Sequence, residues 1–133
     1  MVVGSAGTGK TTLALQYLVN GATKFNENGL YVTFEQMPAQ IYRDAANFGW
    51  DIRKLEAEGK LRVVCTSPPV LAQFVESRNP IDPIIAEINA KRIVIDSISH
   101  LESFIPAPEL RGELYRLVNH LKMKELTSIF TSE

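Results

Sequence analysis

Val2-Val3-Gly4-Ser5-Ala6-Gly7-Thr8-Gly9-Lys10-Thr11-Thr12 is the stretch that decides the fold. Residues 4–11 match G-x-x-x-x-G-K-[ST] in full, between two β-branched residues that read as the end of a strand and a run of helical character. Gly4, Gly7 and Gly9 open backbone conformations closed to other residues and let the chain come close to phosphate. The successive N–H groups of this loop, Ser5, Ala6 and Thr8 included, then form an anion-binding nest at the positive end of the next helix. Lys10 places a cation beside the β- and γ-phosphates. The Thr11 hydroxyl suits Mg²⁺, a hard ion that prefers oxygen ligands, and Thr12 reaches the α-phosphate side. The bland alternative is a glycine-rich turn before a helix. It has to explain why the motif stands between strand and helix, where a phosphate-binding loop must stand.

Outward from this loop the chain alternates strand and helix. Residues 10–24 read as a helix with Leu13, Leu18 and Ala22 inward, ended by the turn chemistry of Asn26 to Gly29. Leu30 to Phe34 is a second strand. Pro38 opens a second helix, with Ile41, Ala45 and Phe48 on one face. Asp51 caps a short helix that Gly59 stops, and Leu61 to Cys65 is a third strand. Residues 66–80 are loop-like, with Pro68, Pro69 and Pro80. Asp82 and Pro83 start a helix with Ile84, Ile85 and Ile88 inward, and Ile93-Val94-Ile95 is a fully apolar fourth strand ending in Asp96. Pro108 precedes an amphipathic helix with Leu110, Leu114, Leu117 and Leu121 in one stripe, and Thr127 to Thr131 is a fifth strand. Short apolar strands separated by helices imply an α/β fold, a parallel sheet covered on both faces.

Asp96, at the end of Arg92-Ile93-Val94-Ile95, holds the place of the Walker B aspartate, which orders magnesium. The alternative is a turn or capping aspartate, since Ser97 and Ser99 follow. Glu35 follows the second strand, at the sheet edge where open α/β folds bind ligands, so its carboxylate could polarise an attacking water. A solvated loop glutamate ahead of Pro38 fits the position equally well. Thr131 and Ser132 end the fifth strand, where a hydroxyl could sense the γ-phosphate, or simply end a strand. His100 and His120 lack partners at metal-ligand spacing and read as surface or half-buried residues. Trp50 and Phe48 read as packing.

Composition narrows the classes. The 133 residues are 45% hydrophobic and 22% charged, as in an ordinary globular domain. A net charge of −1 gives no general attraction for nucleic acid or anionic membrane. Lys122 and Lys124, the one basic cluster, fall at a helix end, where they complement its dipole. The one cysteine, Cys65, excludes an intrachain disulfide and reads as a small core residue. The sequence has neither an apolar run of membrane length nor the signature of a signal peptide, so the expected location is the cytoplasm.

Taken together, these segments resemble the KaiC-like branch of the RecA-type ATPases. GSAGTGKTTLALQYLVNGA is similar to that branch's P-loop and first helix, YVTFEQMPAQIYRDAANFGWDI to its characteristic strand, glutamate and helix, and RIVIDSISHL to its Walker B strand. LRGELYRLVNHLK with TSIFTSE resembles the next helix and strand.

The resemblance implies ATP with Mg²⁺, hydrolysis in ring assemblies, a regulatory role, and a strand order of third, second, fourth, fifth, first. It implies that Glu35 is catalytic, as the first of the family's paired glutamates. Gln36 departs from the second, which implies slow turnover. Family domains continue beyond the TSE strand into segments that offer basic residues to a neighbour's phosphates. Residues 1–133 are therefore read as a truncated RecA-like core whose exposed first strand is completed by another copy or a partner. Weak or partner-dependent ATPase activity is the leading expectation, and an ATP-dependent assembly module without turnover the alternative. A DNA-strand-exchange role lacks basic loops, and a small kinase would need a lid.

Overall fold

The computed structural model describes residues 2–3, 9–34, 36–67 and 81–132, with the side chains of Val2, Val3, Phe104 and Ser132 left aside. In chain order the elements are β1 (Val2–Val3), α1 (Lys10–Lys24), β2 (Asn28–Thr33), α2 (Pro38–Ala46), α3 (Ile52–Ala57), β3 (Leu61–Cys65), α4 (Ile81–Ile88), β4 (Ala90–Asp96), α5 (Ser99–Phe104), α6 (Ala107–Met123) and β5 (Thr127–Ser132). The strands form one five-stranded sheet in the order β1-β5-β4-β2-β3, and every pairing is parallel. This is the expected order, read from the other edge.

Strand alternation sorts the core into two layers. Leu30 and Val32 of β2 and Ile93 and Ile95 of β4 face one way, onto Ile81, Ile85 and Ile88 of α4 and Leu117 and Leu121 of α6. Tyr31 and Val94 face the other way, with Leu61 and Val63 of β3, onto Ala14, Leu15 and Leu18 of α1, Ile41 and Ala45 of α2, and Ile52 and Leu55 of α3. By the same parity Asp96 lies on the α1 side. The sheet is thus covered on both faces, as its near-continuous apolar strands require.

Local signals hold where the chemistry is specific. The Asp51 carboxylate accepts the Lys54 N–H at 3.1 Å and caps α3. Gly59 takes φ +72° and lets the chain reverse into β3. Pro38 stands in the first turn of α2 and Pro108 in that of α6. Lys124 ends α6 with its Nζ 3.9 Å from Asp82 of α4, and His120 Nε2 lies 2.9 and 3.0 Å from the two Asp82 oxygens. Both histidines are half-buried, as expected; His100 Nδ1 lies 3.2 Å from Ser97 Oγ.

Several expectations are corrected. Leu13 is 49% exposed, because the inward stripe of α1 is Ala14, Leu15, Leu18, Val19 and Ala22. Phe48 is 54% exposed, since α2 ends before it, and its ring stacks on Trp50 at 5.3 Å. Cys65 is exposed: it is the last residue of an edge strand, beyond the Leu61 and Val63 positions that the helices cover. Helix α5 was not anticipated, although Ile98, Leu101 and Ile105 share one buried cluster at near-helical spacing. The proline-rich segment falls mostly at residues 68–80, outside the described residues.

Candidate nucleotide site

Gly4, Ser5, Ala6, Gly7, Thr8 and Glu35 lie outside the described residues. The rest of the predicted site begins at Gly9, which caps α1 in the left-handed region at φ +88°. Among the described residues nothing lies within 4 Å of the position its Cβ would take, and its positive φ is what calls for glycine here. Lys10 opens α1 and is only 8% exposed. Thr11 and Thr12 follow in the same first turn, half-buried. The first turn of a helix carries unpaired N–H groups and the positive end of its dipole, so these residues stand where an anion is favoured.

Asp96 ends β4 directly beside that turn. Its Oδ2 accepts the Thr11 hydroxyl at 3.4 Å and the Tyr31 hydroxyl at 2.5 Å. Its Oδ1 accepts the Thr131 hydroxyl at 2.6 Å. Three hydroxyls from α1, β2 and β5 thus meet one carboxylate, and among the described residues no cation pairs with it. The register places Asp96 opposite Thr33 on one side and Thr131 on the other, with Tyr31 opposite Val94. The phenol therefore reaches two positions along the sheet to the carboxylate. Burial, and then the charge of Asp96 and its hydrogen bond, push the Tyr31 phenol far above its ordinary range, so it stays a donor. The Asp96–Ser97 peptide bond is cis.

Gly9, Lys10, Thr11, Thr12, Gln36 and Asp44 line a cleft of about 280 Å³. The Gln36 N–H donates to Thr33 Oγ1 at 3.1 Å, and Gln36 Oε1 is buried with no hydrogen-bond partner among the described residues. Two larger clefts, of about 320 and 570 Å³, flank Trp50 and contain none of the loop residues. Chemistry rather than size marks the smaller one as the candidate.

The donor set fits Mg²⁺ carried by a nucleotide. Thr11 and Asp96 supply adjacent hard oxygens, and Gln36 Oε1 is an acceptor suited to a coordinated water. Among the described residues no group of three His, Cys, Asp or Glu side chains converges to cage a metal.

Thr131 is a correction. Its side chain is fully buried and committed to Asp96, so it is not the phosphate-facing hydroxyl considered from the sequence. Tyr31 was missed. It reads as one more apolar strand residue, and only the register brings its hydroxyl to Asp96. Nothing local in the sequence signals this, although a tyrosine two positions before the strand end, in a strand paired to the aspartate's, is a pattern worth testing.

A parallel sheet with α1 opening beside the C-terminal end of β4, a lysine at the head of that helix and the next residue's hydroxyl facing an aspartate, is the architecture of a P-loop nucleotide-binding protein of RecA type. The family model "ATPase: KaiC" matches residues 1–133, and the chain belongs to the KaiC family. Among its relatives is the circadian clock oscillator protein KaiC of Picosynechococcus sp., 40% identical over all of this chain and 27% of the relative. The KaiC proteins of Parathermosynechococcus lividus and Synechococcus elongatus are each 38% identical over all of this chain, covering 26% and 27% of their lengths. The chain spans about a quarter of the length of these relatives. Among the described residues, no helix is long and apolar enough to cross a membrane.

Proposed function

We propose that this chain binds ATP with Mg²⁺ and hydrolyses it slowly, or only when a second copy or a partner completes the site. The observation that carries the reading is the meeting of Thr11 and Asp96 at the start of α1, the helix that Lys10 opens. Thr11 Oγ1 stands 3.4 Å from an Asp96 carboxylate that no cation pairs with among the described residues. Lys10 supplies a fixed positive charge to the terminal phosphates, and the first-turn N–H groups of α1 bind the same oxygens. Thr11 and Asp96 hold the magnesium ion, which when bound neutralises charge developing on the phosphoryl oxygens. The sequence motif from Gly4 to Gly9 is assigned to the phosphates on its residue pattern, and Thr12 to the α-phosphate side.

Glu35, directly after Phe34 in the sequence, is the residue proposed to orient the attacking water. Gln36 cannot act as a base, and its amide oxygen is confined to holding a water or donor group at the cleft wall. That substitution favours a second reading, in which the chain uses ATP to set its assembly state without turnover. A cytoplasmic location accords with either. The relatives' circadian role extends to this chain only as a regulatory function of unspecified pathway.

Calorimetry with Mg·ATP tests the binding reading. Lys10→Ala should lower affinity at least tenfold, in line with losing a charged phosphate contact, and equal affinities would refute the site. Phosphate release at several protein concentrations separates the two readings. Turnover that rises with concentration and is lost in Glu35→Gln supports hydrolysis completed by assembly. ATP binding without measurable release at any concentration supports the assembly module, and faster release in Gln36→Glu would identify the missing carboxylate as limiting.

A further inference from the structure

The carboxylate at the heart of the site is held more elaborately than a metal-facing aspartate needs for folding alone. An ionised carboxylate has about four lone-pair positions. Two of those at Asp96 are taken by short O–H···O contacts, 2.5 Å from Tyr31 and 2.6 Å from Thr131, the range of charge-assisted hydrogen bonds. The third contact, from Thr11, is long at 3.4 Å. Tyr31 and Thr131 are both fully buried and sit on β2 and β5, the two strands that flank β4. The tight contacts therefore come from the rigid sheet, and the loose one from the helix that carries the phosphate-binding residues.

We propose that Tyr31 and Thr131 are positioning residues for magnesium: their hydroxyls lock the Asp96 carboxylate beside the first turn of α1, with one lone-pair position on Oδ1 left open and only the loose Thr11 contact to yield on Oδ2. This rests on the nucleotide-site reading and deepens it by assigning two residues to the metal response rather than to the nucleotide. A hydroxyl held to the carboxylate from each side removes its rotation about the Cβ–Cγ bond. The Thr11 oxygen keeps its lone pairs for the cation while its proton points to Oδ2. Neither Tyr31 nor Thr131 touches the cleft, so neither should affect nucleotide binding when metal is absent. Partners in this outer position typically govern metal affinity by 10- to 100-fold.

The test compares ATP affinity in excess Mg²⁺ with affinity in EDTA, using the full chain. Tyr31→Phe removes one oxygen and keeps the buried ring, and Thr131→Val removes the hydroxyl at nearly constant volume. Each should raise the Mg²⁺ concentration for half-maximal effect about tenfold and leave metal-free affinity unchanged, while Thr131→Ser keeps the wild-type response. Thermal melts run in parallel, because a purely structural role would lower the melting temperature and leave the ratio of the two affinities intact. If Tyr31→Phe is unfolded at the assay temperature, Thr131→Val against Thr131→Ser decides by the same criterion. A wild-type protein that gains nothing from Mg²⁺ would sink the nucleotide-site reading itself. A wild-type response kept in full by the hydroxyl-free variants would sink only the positioning role.

Discussion

Two polar clusters sit at opposite ends of β4, and they are built on opposite plans. At its start, Arg92 donates to Glu27 Oε1 through Nε at 3.0 Å and Nη2 at 2.8 Å, and to the Tyr17 carbonyl at 2.8 Å. Its guanidinium also lies over the rings of Tyr17 and Phe25, at 4.6 and 5.2 Å. At the end of the same strand, Asp96 is met by hydroxyls and, among the described residues, by no cation. The first cluster is closed: charge, donors and faces are all matched within the chain. The second is satisfied in hydrogen bonds and open in charge. A buried charge matched by its own protein is a fastening, whereas one left for an outside ion is a site.

The largest effect should come from breaking the closed cluster. Arg92 is 14% exposed, and its stem passes so near Gly21 that a Cβ there would lie 2.6 Å from Arg92 Cδ. Arg92→Ala leaves Glu27 unpaired and opens a void between α1 and β4. A loss of about 3 kcal/mol in urea unfolding is expected, at the low end for a broken buried pair because Glu27 retains partial access to water. Arg92→Lys should recover only part of it, since an ammonium cannot repeat the fork. The Mg²⁺ response of the surviving folded protein should be unchanged. A shift in that response would mean the two ends of β4 are coupled and the contrast is false.

Asp96→Asn probes the open cluster. Removing a negative charge that no cation balances among the described residues should cost little stability, about 1 kcal/mol for a hydroxyl that must turn to accept from the new amide. The magnesium dependence of ATP binding should fall much further, by tenfold or more. Melting curves and Mg²⁺ titrations of one preparation give both numbers. The reverse pattern, several kcal/mol of stability lost with the magnesium response intact, would make Asp96 a structural cap after all.

What the sequence disclosed follows the same division. The helix opening at Lys10, the strand ending in Asp96 and the five-strand alternation are written in contiguous residues, so they were legible. The Arg92 clasp and the Tyr31–Asp96–Thr131 contacts join residues far apart in the chain, and only strand register brings them together. The inward face of α1 was misread for a local reason: Leu13 looked like part of the stripe, whereas Ala14 and Leu15 are buried and Leu13 is exposed. Cys65 shows the limit of an apolar run as evidence: Leu61 and Val63 are buried, whereas Cys65, the last residue of the same strand, is exposed. The Gly4–Thr8 loop and Glu35 remain known from sequence pattern alone.

A second phenol–carboxylate pair sharpens the comparison by lying outside either cluster. The Tyr42 hydroxyl donates to Glu56 Oε1, tying α2 to α3, and Glu56 Oε2 accepts the Val63 N–H at 3.3 Å. Burial first, and then the hydrogen bond to the Glu56 carboxylate and its charge, push the Tyr42 phenol up from 10.0 to about 12. In the unfolded chain the phenol ionises near the ordinary value, so between about pH 10 and 12 the folded state holds a proton that the unfolded state has released. The stability from this pair is therefore fully present below pH 10 and lost as pH rises toward 12. Tyr42→Phe should be the less stable protein at pH 9, by the smallest margin among these variants, and that margin should shrink as the pH approaches 11.5. Tyr17 and Tyr31 are raised in the same direction and are present in both proteins, so the difference between wild type and variant isolates Tyr42. Urea unfolding at half-unit steps of pH measures it. A margin that stays constant would show that the hydroxyl contributes packing alone. A margin that closes while the Mg²⁺ response at neutral pH is unaltered would show that a phenol on a carboxylate is a fastening here and that the metal response belongs to the pair at Asp96.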